Sequence, residues 1–158
     1  MLAEFPEFNA SLDGDNVILK KHYDLGFAVH TDQGLLVVVT RDSDQKDTAE
    51  LGAEIAGLAG KAKDRKLQPD DVAGQTFTIS NIGALGAGGG TPIIPLGTTA
   101  IVSISRAVDS PVVRDGELAI APVAPINLSY DHRLIDGALG QQFLAGFVAN
   151  LERIDELI

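Results

Sequence analysis

Cysteine is missing altogether from the 158 residues. That excludes disulfides, thiolate metal sites and a cysteine nucleophile. Positive charge is scarce: 12 lysines and arginines stand against 22 aspartates and glutamates, for a net charge of −10. A surface built to hold nucleic acid or an anionic membrane needs the opposite field, so neither is expected as a partner. Long apolar runs are missing too. The longest, GLLVVV at 34–39, is far too short to span a bilayer. The opening MLAEFPEFNA has no basic segment followed by an apolar one, so no secretory signal is read there. The chain holds no internal repeat, no Ser/Pro linker and no long block of like charge. A soluble, cytoplasmic protein is the expectation, and the missing cysteines are compatible with it.

What is present suits one domain. Hydrophobic residues make up 45% and charged residues 22%, enough to build and solvate a single core. Residues 16–22 (NVILKKH) and 26–40 (GFAVHTDQGLLVVVT) read as strands, the latter two joined through TDQG. Asp47 is placed to cap a helix, with Glu50 three positions on as its capping-box partner. Leu51, Ile55, Leu58 and Ala62 then recur at helical spacing, and the helix must stop before Pro69. Lys61, Lys63, Arg65 and Lys66 sit at its C-terminal end, where the helix dipole favours them, and read as a solvated end. QTFTISNIG reads as a strand entering a glycine-rich loop, and TTAIVSISRAV as a buried strand. Asp115-Gly116 between apolar runs predicts a hairpin. After Asp136, the spacing of Phe143, Phe147, Leu151, Ile154 and Ile158 predicts a second helix. About seven short strands and two long helices give an α/β layered domain.

The chemical candidates differ in weight. Gly83, Gly86, Gly88, Gly89 and Gly90 suggest a phosphate cradle, but Thr91-Pro92 follows where a P-loop needs Lys-Ser/Thr. The loop reads instead as a mobile or tightly packed connection. His22 and His30 lie in predicted strands without carboxylates at ligand spacing, so no metal site is expected. His132 is different. Ile126, Leu128 and Tyr130 alternate with polar residues up to it, and a helix is expected to begin at Asp136, capped through the amide of Ala138 or Leu139. An imidazole on such a strand-to-helix connection is held rigidly yet remains reachable. Two readings stand side by side: a proton-transfer site, or an ion-pair corner of Asp131, Arg133 and Asp136 with Asp136 as a simple cap.

At these residues the chain resembles a known family. SYDHRLIDG (129–137) matches the Asp-His-Arg-x-x-Asp-Gly motif of the dihydrolipoamide acyltransferases, the acyl-carrying core components of 2-oxo acid dehydrogenase complexes. FPEFNAS, LGFAVHTDQGLLVVVTRDSD and GQTFTISNIGALGAGGGTPIIP also resemble that family's catalytic domain, in the same order. The resemblance implies a chloramphenicol acetyltransferase-like, coenzyme A-dependent acyltransferase fold, with a mixed sheet and flanking helices. It also implies trimers, with the active site between subunits, that associate into larger homo-oligomeric cores. Carried over by motif, the general base falls on His132, the motif aspartate on Asp136 and the oxyanion-stabilising hydroxyl on Ser80. Coenzyme A would be a substrate, its contact residues unassigned, and lipoamide would arrive on a lipoyl domain.

Two departures from the family are visible. Its catalytic domain normally begins well before the FPEFNA segment, with a helix and a strand that help form the substrate sites. Residues 1–158 therefore correspond to the C-terminal part of that domain, N-terminally truncated. Lipoyl and peripheral-subunit-binding domains, through which the dehydrogenase and dihydrolipoamide dehydrogenase components would be bound, are not expected within residues 1–158. Pro95-Leu96-Gly97 also replaces an Asn-Pro-Pro type of turn.

The reaction implied moves an acyl group between two thiols. A free thiol titrates near ~8.5 and imidazole near ~6.5, so proton transfer to His132 is only mildly uphill. The acyl preference, whether acetyl, succinyl or branched-chain, stays open. One alternative is a catalytically incomplete fragment acting as a trimer-forming scaffold. Another is a serine hydrolase of Ser80, His132 and Asp136, against which stands the lack of a Gly-x-Ser-x-Gly elbow. The truncation is expected to uncover part of the surface that the apolar strands GLLVVV and TTAIVSI normally bury, and such surface drives association.

Overall fold

The computed structural model describes residues 1–84 and 88–154. The chain enters through a short 3-10 turn, Pro6–Asn9, whose Phe8 is fully buried. A small hairpin follows, β1 (Ala10–Asp13) with β2 (Asn16–Leu19). The strand expected over 16–22 therefore ends at Leu19. The Asn9 side-chain amide donates to the carbonyls of Lys20 and His22, 3.0 Å each, and holds that stretch as a connection. His22 is accordingly not a strand residue.

The main sheet has five strands in the order β4-β3-β5-β6-β9. β3 (Leu25–Thr31) and β4 (Gly34–Thr40) form the hairpin predicted around TDQG. β3 runs parallel to β5 (Phe77–Asn81), and β5 parallel to β6 (Ala100–Ile104). β9 (Ile126–Tyr130) closes the sheet antiparallel to β6. Between β6 and β9 a third hairpin, β7 (Val108–Arg114) and β8 (Glu117–Val123), pairs only with itself among the described residues. Its turn residues Asp115 and Gly116 have φ of 52° and 83°. Positive φ at both centres is the geometry that Asp-Gly favours between right-twisted strands.

Two helices cover the sheet. α1 (Thr48–Lys63) starts with the predicted capping box: the Asp47 carboxylate accepts from the Glu50 amide at 2.8 Å, and Glu50 accepts from the Asp47 amide at 3.0 Å. α2 (Gly137–Glu152) starts at Asp136, whose carboxylate accepts from the Leu139 amide at 2.8 Å. Both helices lie on one face of the sheet. Residues in register across strands share a face, and the chain of partners Val38, Phe27, Ile79, Val102 and Leu128 belongs to the two apolar clusters on which the helices pack. The larger cluster joins Phe8, Phe77, Ala100, Val102, Ile135 and Phe143, with the Phe8 and Phe143 rings stacked at 4.0 Å. The smaller joins Val38 to Leu58 and Ala62 of α1.

The opposite face is mostly polar and small: one row runs by register through Gly26, Thr78, Ile101 and Ser129, and the next through Ser80, Ser103 and Asn127. The glycine-rich connection crosses it. Ser103 donates to the Gly90 carbonyl at 3.2 Å, and a side chain at Gly89 would meet the Asn127 amide. This part of the loop is tightly packed rather than a phosphate cradle; Gly86 lies outside the described residues. Pro95 to Thr98 forms a turn, with the Thr98 amide donating to the Pro95 carbonyl at 3.2 Å. Gly97 has φ of 80°, as the third position of a type II turn requires.

The two apolar runs fare differently, and TTAIVSI is buried as expected. Ala100, Ile101 and Val102 of TTAIVSI are buried, because β6 is the inner strand between β5 and β9. Leu35 of GLLVVV is exposed, as are Ile93 and Leu96 of the 91–98 connection and Val113, Leu118 and Ile120 of the β7–β8 hairpin. The stripe of the second helix also ends earlier than read: Ile154 lies beyond α2, and Ile158 is outside the described residues.

Candidate active site

The His132 connection is a single tight turn fixed at several points. The Asp131 amide donates to the Thr99 carbonyl at 2.8 Å, tying the end of β9 to the start of β6. The Asp131 carbonyl accepts from the amides of Leu134 and Ile135, at 3.1 and 3.0 Å. Ile135 is fully buried in the larger cluster and anchors the exit of the turn. The Asp131 carboxylate folds back on Arg133, accepting from its backbone amide at 3.0 Å and from its guanidinium. Those hydrogen bonds hold the Asp131 carboxyl below its ordinary titration range, against the opposing effect of burial. Asp136 is occupied as the cap of α2. Of the structural reading, the Asp131–Arg133 pair and the Asp136 cap are present, while Asp136 makes no ion pair among the described residues; between them His132 projects exposed to solvent.

One contact orients the ring from below. Tyr130 and His132 have ring centroids 5.7 Å apart, tilted by 45°. The Tyr130 ring lies directly on Gly140 of α2, where a Cβ would come within 2.6 Å of Tyr130 Cε1. Gly140 is read from sequence only as part of the helix. Its spacing of four from Asp136, one helical turn into α2, is the signal that marks it as facing the connection.

Ser80 is not brought to His132 within one chain. Ser80 is in register with Ser103, and Ser103 with Asn127, so Ser80 lies level with the beginning of β9. His132 follows the end of β9. The two are two strand spacings apart, roughly 10 Å, and at least three residues, about 10 Å more, along the sheet. This separation removes the intrachain serine-hydrolase triad. Asp136 and His132 share the connection; Ser80 belongs to a second locus.

That second locus is a slot between diverging strands. The β3–β5 ladder stops at Phe27 and Ile79, and beyond it the β3–β4 hairpin and the end of β5 part. A cleft of about 500 Å³ opens there, bordered by Ser80, by apolar Phe27, Leu35, Ile55 and Ile104, and by His30 and Lys63. Among the described residues that line it, Lys63 is the one that is formally charged. Sequence reasoning placed Lys63 on a solvated helix end. Its spacing of four from Ala59 and eight from Ile55 puts it on the same stripe of α1 as those two lining residues. Among the described residues no group of three His, Asp or Glu side chains gathers as a metal site.

Comparison with known proteins gives concordant results. The family described as 2-oxoacid dehydrogenases acyltransferase (catalytic domain) matches residues 1–158. The acetyltransferase component of the pyruvate dehydrogenase complex of Cupriavidus necator is 43% identical over 156 residues, covering 97% of this chain and 28% of that protein. The succinyltransferase component of the 2-oxoglutarate dehydrogenase complex of Staphylococcus aureus is 43% identical over 158 residues, covering 99% of this chain and 37% of that protein. The chain thus spans about a third of the length of these curated relatives. Among solved structures, the Azotobacter vinelandii dihydrolipoamide acetyltransferase superposes with a TM-score of 0.92 at 42% identity, covering 97% of this chain and 64% of that one. That structure addresses the role of a serine, a histidine and an asparagine in its catalytic mechanism. Its histidine follows the serine by 52 positions and its asparagine follows the histidine by 4, the intervals that separate Ser80, His132 and Asp136 here.

Proposed function

The chain belongs to the 2-oxoacid dehydrogenase acyltransferase catalytic-domain family, and on that premise we propose that it moves acyl groups between dihydrolipoamide and coenzyme A in the core of a 2-oxo acid dehydrogenase complex. The observation that carries the reading is the His132 connection. An exposed imidazole stands on a turn held by the Asp131–Arg133 pair before it and the Asp136 cap after it. Rigid placement with solvent access is what a general base needs. His132 takes the proton of the attacking thiol as its sulfur reaches the thioester carbonyl, then returns it to the departing thiolate. No acyl-enzyme is formed, so no cysteine is required.

The oxyanion created by attack needs a donor, and Ser80 is assigned that role. One such donor is worth about 3 kcal/mol, roughly a hundredfold in rate. Since Ser80 and His132 stand apart in one chain, we place the working site between subunits, with Ser80 facing His132 of the partner subunit in a homotrimer or larger core. Asp136 keeps its place as the residue that fixes the connection. The lipoyl group comes from a domain outside residues 1–158, and the dehydrogenase and dihydrolipoamide dehydrogenase components attach through other domains of the assembled complex. The expected compartment is the cytoplasm. The acetyl- and succinyltransferase relatives are equally similar, so the acyl group is left unassigned.

The exposed aliphatic residues of the 91–98 connection and of the β7–β8 hairpin favour a second reading, a trimer-forming scaffold without its own turnover. One assay separates the two. Purified protein is incubated with acetyl-coenzyme A and dihydrolipoamide, and thioester formation is followed; His132→Ala should slow it by at least ~100-fold. Turnover that survives this substitution would remove His132 from the mechanism, and no turnover in the parent protein would leave the scaffold.

A further inference from the structure

We infer that Arg106 is a positioning residue for Ser80, holding the end of β5 on which that hydroxyl sits; this rests on the reading of Ser80 as the oxyanion donor. The need for a holder follows from the sheet. β3 pairs with β5 only from Leu25–Phe77 to Phe27–Ile79, whereas β6 pairs with it from Thr78–Ile101 to Asn81–Ile104. Among the described residues, Ser80 and Asn81 therefore have a strand neighbour on one side only. Gly83, where the glycine-rich connection begins, is the third residue after Ser80. A strand end with one neighbour and a glycine beyond it has little of its own to fix it.

Arg106 supplies what is missing. Its Nε donates to the Gly83 carbonyl at 2.7 Å and its Nη2 to the Ala84 carbonyl at 3.1 Å. A guanidinium presents its donors in one rigid fork, so two successive carbonyls are set together. The base of the clamp is firm: the Ser105 amide donates to the Pro125 carbonyl at 2.9 Å, tying the residue before Arg106 to the start of β9. Two more bonds brace the stem. The Ile82 amide donates to the Ile104 carbonyl and the Gly83 amide to Asn81 Oδ1, each at 3.0 Å. Packing is close as well, since a Cβ at Gly83 would lie 3.3 Å from the Arg106 amide nitrogen. The connection returns to the same strand at Gly90, whose carbonyl accepts from Ser103, the register partner of Ser80.

An oxyanion donor is effective only when it is in place before the charge develops. A clamp that acts through Ser80 cannot contribute more than Ser80 itself, roughly a hundredfold. Loss of hydrogen bonds from a charged donor at an exposed position sets a smaller factor, about tenfold.

The test measures steady-state acyl transfer and amide hydrogen exchange in the parent protein, Arg106→Ala, Arg106→Lys, Ser80→Ala and the Ser80→Ala/Arg106→Ala double variant. Arg106→Ala should lower kcat about tenfold with KM for coenzyme A and dihydrolipoamide within about twofold, and Arg106→Lys, which keeps a donor but not the fork, should fall between it and the parent. The double variant should be no slower than Ser80→Ala alone. In Arg106→Ala the amides of Ile82 and Gly83 should exchange about tenfold faster, with α1 and α2 unchanged. Equal exchange in parent and Arg106→Ala would overturn the clamp. So would a change confined to KM, which would make Arg106 a substrate contact, or a further tenfold loss in the double variant, which would show that it acts apart from Ser80. Ser80→Ala a hundredfold slow beside Arg106→Ala at the parent rate removes the clamp alone. Ser80→Ala at the parent rate removes the oxyanion reading and the clamp's role with it, as does a parent protein without turnover.

Discussion

Replacing Asp136 separates two roles that a carboxylate can play beside a catalytic histidine. In the structure its oxygen accepts from the Leu139 amide at 2.8 Å and so satisfies one of the orphan donors at the start of α2. Asp136→Ala removes that acceptor, and such a loss costs about 1 kcal/mol. In a domain of this size that lowers the melting temperature by about 3 °C. Asp136→Asn keeps an acceptor oxygen at the same place and loses only the attraction between carboxylate and helix dipole, about 0.5 kcal/mol or less at an exposed position. The first turn of α2 also carries Gly140, on which Tyr130 rests beside His132. Fraying it should therefore reach the imidazole. If Asp136 acts by fixing the connection, acyl transfer in Asp136→Asn stays within about threefold of the parent, while Asp136→Ala falls by about tenfold; these factors correspond to roughly 0.6 and 1.4 kcal/mol of barrier. Scanning calorimetry and the thioester assay on the same preparations check both halves. An Asp136→Asn protein that melts like the parent but turns over a hundredfold slower would refute the reasoning, since only the negative charge would have been removed.

Ser80→Ala should lower kcat by about a hundredfold with little change in KM, because the hydroxyl donates only to the transition-state oxyanion; an effect confined to KM would make Ser80 a binding residue. Gly140→Ala cannot keep the Tyr130 ring where it is, with a Cβ at 2.6 Å from it. It should lower transfer more than it lowers stability, whereas Gly57→Ala, at an open position on α1, should leave transfer unchanged; equal transfer in both proteins would sever the Tyr130–His132 link. Asp24 is nearly buried, and burial alone would raise its carboxyl. Hydrogen bonds from Arg41 and the Asp42 amide, with the charges of Arg41 and His22, outweigh that and lower it. A carboxyl lowered in the fold stabilises above its unfolded pKa of about 4 and loses that contribution as pH falls through the folded value. Chemical denaturation should therefore show stability falling below about pH 4, with a smaller fall in Arg41→Ala, and identical slopes for the two proteins would contradict the pairing. Light scattering should report a trimer or larger species, since Leu96, Ile93 and Ile120 are exposed by 101%, 90% and 79%; a monodisperse monomer of 16.6 kDa would overturn the inter-subunit site.

Local features were legible in the sequence because their causes are local. The Asp47–Glu50 capping box, the Asp136 cap and the Asp115-Gly116 turn each follow from side-chain chemistry acting over one to three residues, and the structure has all of them. The length of the first strand was not, because its end is set by Asn9, which reaches 11 and 13 positions along the chain to the carbonyls of Lys20 and His22. The buried reading of TTAIVSI rested on its continuous apolar run, and the strand order supplies the cause: β6 is the inner strand between β5 and β9.

The site divides in the same way. His132, Asp131, Arg133 and Asp136 lie within six positions, and their spacing already specified a stiffened turn. Ser80 could be named by resemblance, yet no sequence pattern gives its distance from His132, which depends on strand order and register. That distance is the consequential result. With the two residues on different strands and at different levels of one sheet, neither a cap nor a side-chain rotation within a chain can join them. A reaction that needs both must gather them from two copies, and the copies need a surface on which to meet. The aliphatic tips at Ile93 and Leu96 and the hairpin carrying Val113, Leu118 and Ile120 have no partner of that kind within the described residues. Catalysis and assembly are in this view one requirement. A substitution that dissociates the subunits, such as Leu96→Asp with His132 and Ser80 untouched, should abolish transfer while leaving the fold of each chain intact.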